Sequence, residues 1–183
     1  MTKQVCRFVR DVFKPYRIRK ESISWRFTPT GPEDLHVDWF RPTDDLHYIR
    51  MFINIDEQPR VWTVSHQLED LIARNFASAG LAELDGSPSN TIIDRINHRV
   101  LNPVSYEPAS ATDRHVVEFA QGDVWLCETR LNSHQIFSGR RMVATDFYVD
   151  PSSMLDPEQR VEARVARCME CCRSSRTNLP SIR

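Results

Sequence analysis

The chain has 183 residues and 21.4 kDa, 40% of them apolar, with 24 Lys plus Arg against 25 Asp plus Glu for a formal net charge of −1. That apolar share suffices for a core, but no uninterrupted apolar run approaches the ~18 residues that cross a bilayer, so no membrane span is expected. The balanced charge gives no global attraction to polyanions, and direct nucleic-acid binding is not expected.

Val5, Phe8, Val9 and Val12 recur at helical spacing, which predicts a short amphipathic helix stopped by Pro15. Ile23, Trp25 and Phe27 alternate with polar residues, as do Leu35, Val37 and Trp39 with His36 and Asp38, and the TPTGPED turn between them predicts a β-hairpin. A strand period over 46–55, the DEQP turn and RVWTV predict a second hairpin. A helix follows, with Ser65 as N-cap, Leu68, Leu71, Ile72 and Phe76 as its buried stripe and Gly80 as its end. LDGSPSN then leads into a helix over TIIDRINHRVL.

HVVEFA, VWLCETRL and RMVATDFYV predict three more strands, with turns near Gly122 and at Ser138-Gly139. A last helix over 157–173 carries Val161, Val165, Cys168, Met169 and Cys172 as its apolar stripe, and the tail 175–183 reads as loosely ordered. The fold class expected is α+β: one antiparallel sheet of about six to seven strands covered by helices. The whole chain, 1–183, reads as one domain, divided into an N-terminal helix (1–19), a core (20–155), a C-terminal helix (156–174) and the tail.

Arg7, Arg10 and Asp11 interrupt the apolar residues of the N-terminus, which therefore lacks the h-region of a secretory signal. Five cysteines are an odd set, three of them crowded at 168, 171 and 172, a poor disulfide framework. Reduced thiols and a cytoplasmic location are expected. The five glycines form neither G-x-G-x-x-G nor a P-loop, which argues against nucleotide chemistry. Cys168-x-x-Cys171-Cys172 lacks a fourth ligand nearby, and the six histidines form neither H-x-x-x-H nor H-x-E, so neither a metal nor another cofactor is expected.

Period-two bookkeeping singles out two charged residues. Arg50 shares a strand face with Tyr48, Phe52 and Asn54, and Asp146 shares one with Met142, Ala144 and Tyr148. A guanidinium and a carboxylate set in apolar rows either pair with each other across the sheet or line a pocket and hold a small ligand.

Four stretches in order, SISWRFTPTGPEDLHVDWFR, YIRMFINIDEQPRVW, LDGSPSN with TIIDRI, and FSGRRMVATDFYVDPSSML, resemble the chorismate lyase family and the related UTRA ligand-binding domains over roughly 20–155. The resemblance implies a cofactor-free lyase releasing pyruvate from chorismate or a related enolpyruvyl compound to leave a hydroxybenzoate. Arg50 would hold the ring carboxylate and Asp146 would face the ether oxygen as the catalytic pair, and Ile23 and Ile93 would lie against the ring. Tyr48, Phe52 and Tyr148 would complete the binding site for a small aromatic or carboxylated ligand. Asp146 stands where the family has glutamate, and the D-G-x-P turn is here Asp56-Glu57-Gln58-Pro59. Two alternatives stand beside the lyase: a UTRA-like module that binds a carboxylated metabolite without chemistry, and an interaction protein that presents its C-terminal helix. A homodimer is left open.

Overall fold

Alternating apolar residues do form strands here, but the strands divide between two sheets. The computed structural model describes residues 2–39, 46–107 and 113–177. Among these, β1 (Ile18–Arg26), β7 (Met142–Val149), β2 (His47–Asn54) and β5 (Val124–Cys127) form an antiparallel four-stranded sheet in that order. A three-stranded antiparallel sheet runs β4 (His115–Phe119), β3 (Arg60–Gln67), β6 (Asn132–Ser138).

The single six-to-seven-stranded sheet is thereby corrected. Both expected hairpins come apart. β2 and β3 are joined by the Asp56–Pro59 turn yet enter different sheets, and β1 pairs with β7 rather than with 35–39. Turn residues show that the chain reverses, not which strand it then pairs with. Segment 35–39 is extended but makes only an isolated bridge, His36 to His134. β6, which is not among the predicted strands, is the strand that His36 meets.

The larger sheet is apolar on both faces because both are covered, which explains why β2 lacks a polar side. On the outer face Met51 and Phe147 pack against Val5 and Val9 of α1 (Thr2–Val12). Phe52, Met142 and Ala144 face inward onto Trp62 and Ile136 of the smaller sheet. A second core joins α2 (Leu68–Asn75), α3 (Ser89–Ile96) and α4 (Val161–Thr177) to Leu35 and Val37. Ser65 does not cap α2: the N-cap is Gln67, without a side-chain bond, and the Ser65 hydroxyl donates to the Asp113 carbonyl.

The predicted stripe of α4 is core. Val161, Val165 and Met169 are buried, with Cys168 and Cys172 packed beside them, and Arg130 donates to Glu162 across the junction at 2.6 Å. This overturns the interaction-protein reading, because the apolar face it would present to a partner is covered by α2 and α3. Met169→Ala is expected to destabilise the fold by about 2–5 kcal/mol, read as a lower denaturant midpoint with an unchanged slope. An unchanged midpoint would mean that α4 is not part of the core. Of the predicted tail, 175–177 continue α4 and 178–183 lie outside the described residues.

Candidate metal centre

The segment Leu35-His36-Val37-Asp38 is the foundation of the site. Its period-two alternation sends Leu35 and Val37, both fully buried, into the helical core, so His36 and Asp38 point the other way. The backbone is pinned at each step. Leu35 N donates to Ser105 Oγ, and His36 exchanges both backbone bonds with His134. Asp38 N donates to the Thr129 carbonyl. Asn97, in a wide helical turn following α3, clamps Val37: its Oδ1 accepts from Val37 N at 2.9 Å and its Nδ2 donates to Val37 O at 2.8 Å.

His36, Asp38 and His134 therefore converge, with one ligand atom from each lying within 4.8 Å of the others. Among the described residues this is the one group of His, Cys, Asp or Glu side chains placed to hold a metal ion. Each histidine is oriented by a carbonyl, which can only accept: His36 Nδ1 lies 2.6 Å from Asp34 O, and His134 Nδ1 lies 3.1 Å from Asn132 O. Both Nδ1 atoms thus carry the proton, leaving the Nε2 lone pairs available as ligands. Asp38 Oδ2 accepts from Arg50 Nη1 at 2.8 Å, while Oδ1 lies 3.4 Å from His36 Nε2. Burial alone would raise the Asp38 carboxyl, but the contact with His36 and the charge of Arg50 hold it well below the carboxylate range. Burial pulls His134 down to about 4, which keeps the ring neutral. Two imidazoles and one ionised carboxylate are a donor set suited to a divalent iron.

The sequence-predicted residues divide between places. Arg50, Asp146, Tyr48 and Phe52 are brought together on the inner face of the larger sheet. Arg50 Nε donates to Asp146 Oδ1 at 3.0 Å, Tyr48 Oη donates to the same oxygen at 2.9 Å, and the guanidinium lies 4.7 Å from the Phe52 ring centre. Tyr148 packs beside Tyr48 with the rings tilted and 5.3 Å between centroids. Ile23 pairs with Thr145 on the outer face, and Ile93 is sealed in the helical core. The structure brings neither isoleucine to Arg50.

A cavity of about 300 Å³ opens on the metal-binding group, walled by Arg50, Phe52, Trp62, Ile136 and Met142, with Arg26, Glu33 and Trp39 at its other sides. Behind it is a charge without a partner. Arg60 shares the inner face of β3 with Trp62, is 1% exposed, and none of its three guanidinium nitrogens has a hydrogen-bond partner among the described residues. Gly139 makes room for it: a Cβ there would fall 2.5 Å from Arg60 Nη1. Burial, reinforced by Arg26, lowers the Arg60 guanidinium to about 10.

A further buried acid sits on the other side of Asp38. Glu128 lies 3.5 Å from His47 Nε2, and burial pushes its carboxyl up to about 8 while pulling His47 down to about 4. Between pH 4.5 and 8 the unfolded chain releases a proton that the folded one keeps, so Glu128 makes stability fall as pH rises through that window. Glu128→Gln is expected to flatten this fall in denaturant midpoints measured from pH 5 to 8. An unaltered slope would show that Glu128 is ionised in the fold.

The sequence profile of the 3-deoxy-D-manno-oct-2-ulosonic acid (Kdo) hydroxylases matches residues 3–170. The chain belongs to the Kdo hydroxylase family. No curated protein matches it. The structure is similar to that of KdoO, a non-heme Fe(II) α-ketoglutarate-dependent dioxygenase, in complex with succinate and Fe(III), with a TM-score of 0.72 and 16% identity over 92% of this chain and 66% of that one. KdoO in complex with α-ketoglutarate and Fe(III) matches with a TM-score of 0.71 and 16% identity, over 92% and 67% of the two chains. The cobalt(II) complex of KdoO gives a TM-score of 0.71 and 16% identity, over 92% and 66%. The chain spans about two thirds of the length of these structures.

Membership in the Kdo hydroxylase family overturns the chorismate lyase and UTRA resemblance. The fold is the jelly-roll-like pair of facing sheets found in KdoO, and the lyase roles given to Arg50 and Asp146 fall with the resemblance, as does the non-catalytic module. The ordered run of hairpin-like stretches misleads because both folds alternate strands and turns, and the pairing that separates them is long-range. Sequence reasoning missed His36, Asp38 and His134 as a set. The signal available was His36-x-Asp38 on an extended segment, a spacing that puts two ligands on one face, with a third histidine to be found far along the chain. No helix among the described residues is long and apolar enough to cross a membrane.

Proposed function

We propose that this member of the Kdo hydroxylase family is a non-heme Fe(II), α-ketoglutarate-dependent hydroxylase acting on Kdo or a related sugar acid. The observation that carries the reading is the convergence of two imidazoles and one carboxylate, His36, His134 and Asp38, on a cavity between the sheets. Iron(II) held there supplies, with α-ketoglutarate and O₂, the oxidation that turns a substrate C–H into C–OH while α-ketoglutarate becomes succinate and CO₂.

The chain's own residues do the rest. The Asp34 and Asn132 carbonyls fix the two rings with Nε2 toward the centre, and Arg50 holds Asp38 Oδ2 so that Oδ1 is left as the ligand atom. Arg60 supplies a buried positive charge for the far carboxylate of α-ketoglutarate, since a guanidinium out of water needs an anionic partner. Phe52, Trp62, Ile136 and Met142 exclude water from the cavity. The proposed location is cytoplasmic, supported by five free thiols, and the near-neutral net charge favours a small-molecule substrate over nucleic acid.

The test is succinate formation from α-ketoglutarate with Fe(II) in air, with and without Kdo, and mass analysis of the sugar. Kdo-stimulated succinate together with a sugar one oxygen heavier is the expected result. No succinate under any of these conditions overturns the reading.

A further inference from the structure

Resting on the hydroxylase reading, we propose that Arg26 selects the sugar substrate by binding its carboxylate. Arg26 ends β1, the edge strand of the larger sheet, and pairs with Met142 of β7. Paired residues share a face, so Arg26 lies on the same inner face as Met142 and Asp146, and it lines the cavity that opens on His36, Asp38 and His134. It is exposed, and no side-chain hydrogen bond or ion pair reaches its guanidinium among the described residues.

The other cavity arginines are committed. Arg50 is held by Asp38 and Asp146, and Arg60, buried against Gly139, is the charge assigned above to the far carboxylate of α-ketoglutarate. Among the described residues, Arg26 is the exposed cation lining this cavity. A second cavity of about 320 Å³ adjoins the first across Glu33, His36 and Trp39 and is lined by Asp34 and Asp94. Those carboxylates repel an acid and accept hydrogen bonds from hydroxyls. Glu33 borders both cavities, so Arg26 is what draws the acid end of a sugar acid into the first, its hydroxyls turning toward Asp34 and Asp94 of the second. A neutral sugar lacks the contact that fixes this orientation.

The experiment compares wild type, Arg26→Gln and Arg26→Lys, each loaded with Co(II) in place of iron. Equilibrium binding of Kdo, of its carboxamide and of α-ketoglutarate is followed by tryptophan fluorescence, Trp39 being exposed in the cavity wall. Arg26→Gln is expected to weaken Kdo about tenfold or more, to leave the carboxamide and α-ketoglutarate within about twofold, and to be partly rescued in Arg26→Lys. Equal affinity of Arg26→Gln and wild type for Kdo overturns the proposal, as does an equal loss for Kdo and its carboxamide. Failure of the wild type to bind Co(II) or α-ketoglutarate overturns instead the hydroxylase reading on which it rests.

Discussion

Replacing His134 by alanine is expected to reduce Kdo-stimulated succinate formation at least ~100-fold, beyond the 10–100-fold that loss of a residue supporting a ligand typically costs. Fe(II) affinity falls with it. The bridge to His36 uses backbone atoms only, so the strand pairing does not need the ring, although the ring also stacks on Trp62 and its loss costs some packing. Circular dichroism with a metal titration checks this. A variant that keeps wild-type metal affinity and turnover would remove His134 from the centre and leave two ligands, too few for the chemistry proposed.

Arg50→Met is expected to cost about 3–5 kcal/mol of stability, the range for breaking a buried ion pair from one side. The Arg50 side chain is 9% exposed and bonds both Asp38 and Asp146, so its loss leaves two carboxylates without that charge in a largely apolar space. Denaturant unfolding of Arg50→Met beside Arg50→Met/Asp146→Asn reads the effect: the double variant recovers part of the loss because one carboxylate is neutralised. Arg50→Met with an unchanged midpoint would mean that the two carboxylates are satisfied by other groups.

The contrast between Arg50 and His36 shows how much of the site is legible in sequence. An arginine between two same-face aromatics stands out, because a charge in an apolar row has to be explained, and the structure gives it carboxylate partners. His36 and Asp38 do not stand out, because polar residues alternating with Leu35 and Val37 look like the wet side of a strand. Only the three-dimensional packing shows that this side faces a second sheet. The ligand set is completed by His134, 96 residues beyond Asp38 by their numbers, on a strand whose polar residues, Asn132, Ser133 and Gln135, carry little strand propensity. Tertiary pairing with β3 makes that segment a strand.

The helices were easier to read for the opposite reason. The stripes of α2 and α4 follow local periodicity, and their burial needs nothing from distant sequence beyond an apolar partner. The sheets needed the pairing of β1 with β7, across more than 100 residues, which no local pattern encodes. A resemblance built on an ordered series of strands and turns inherits that blindness.

The most direct test of the metal centre is an anaerobic titration of the wild-type protein and Asp38→Ala with Fe(II), followed by α-ketoglutarate, reading stoichiometry by calorimetry and then the visible charge-transfer band. One Fe(II) per chain and a band that needs both additions, each lost in Asp38→Ala, are the results predicted. Iron that fails to bind the wild type, or binds it and Asp38→Ala alike, would contradict a centre built from His36, Asp38 and His134.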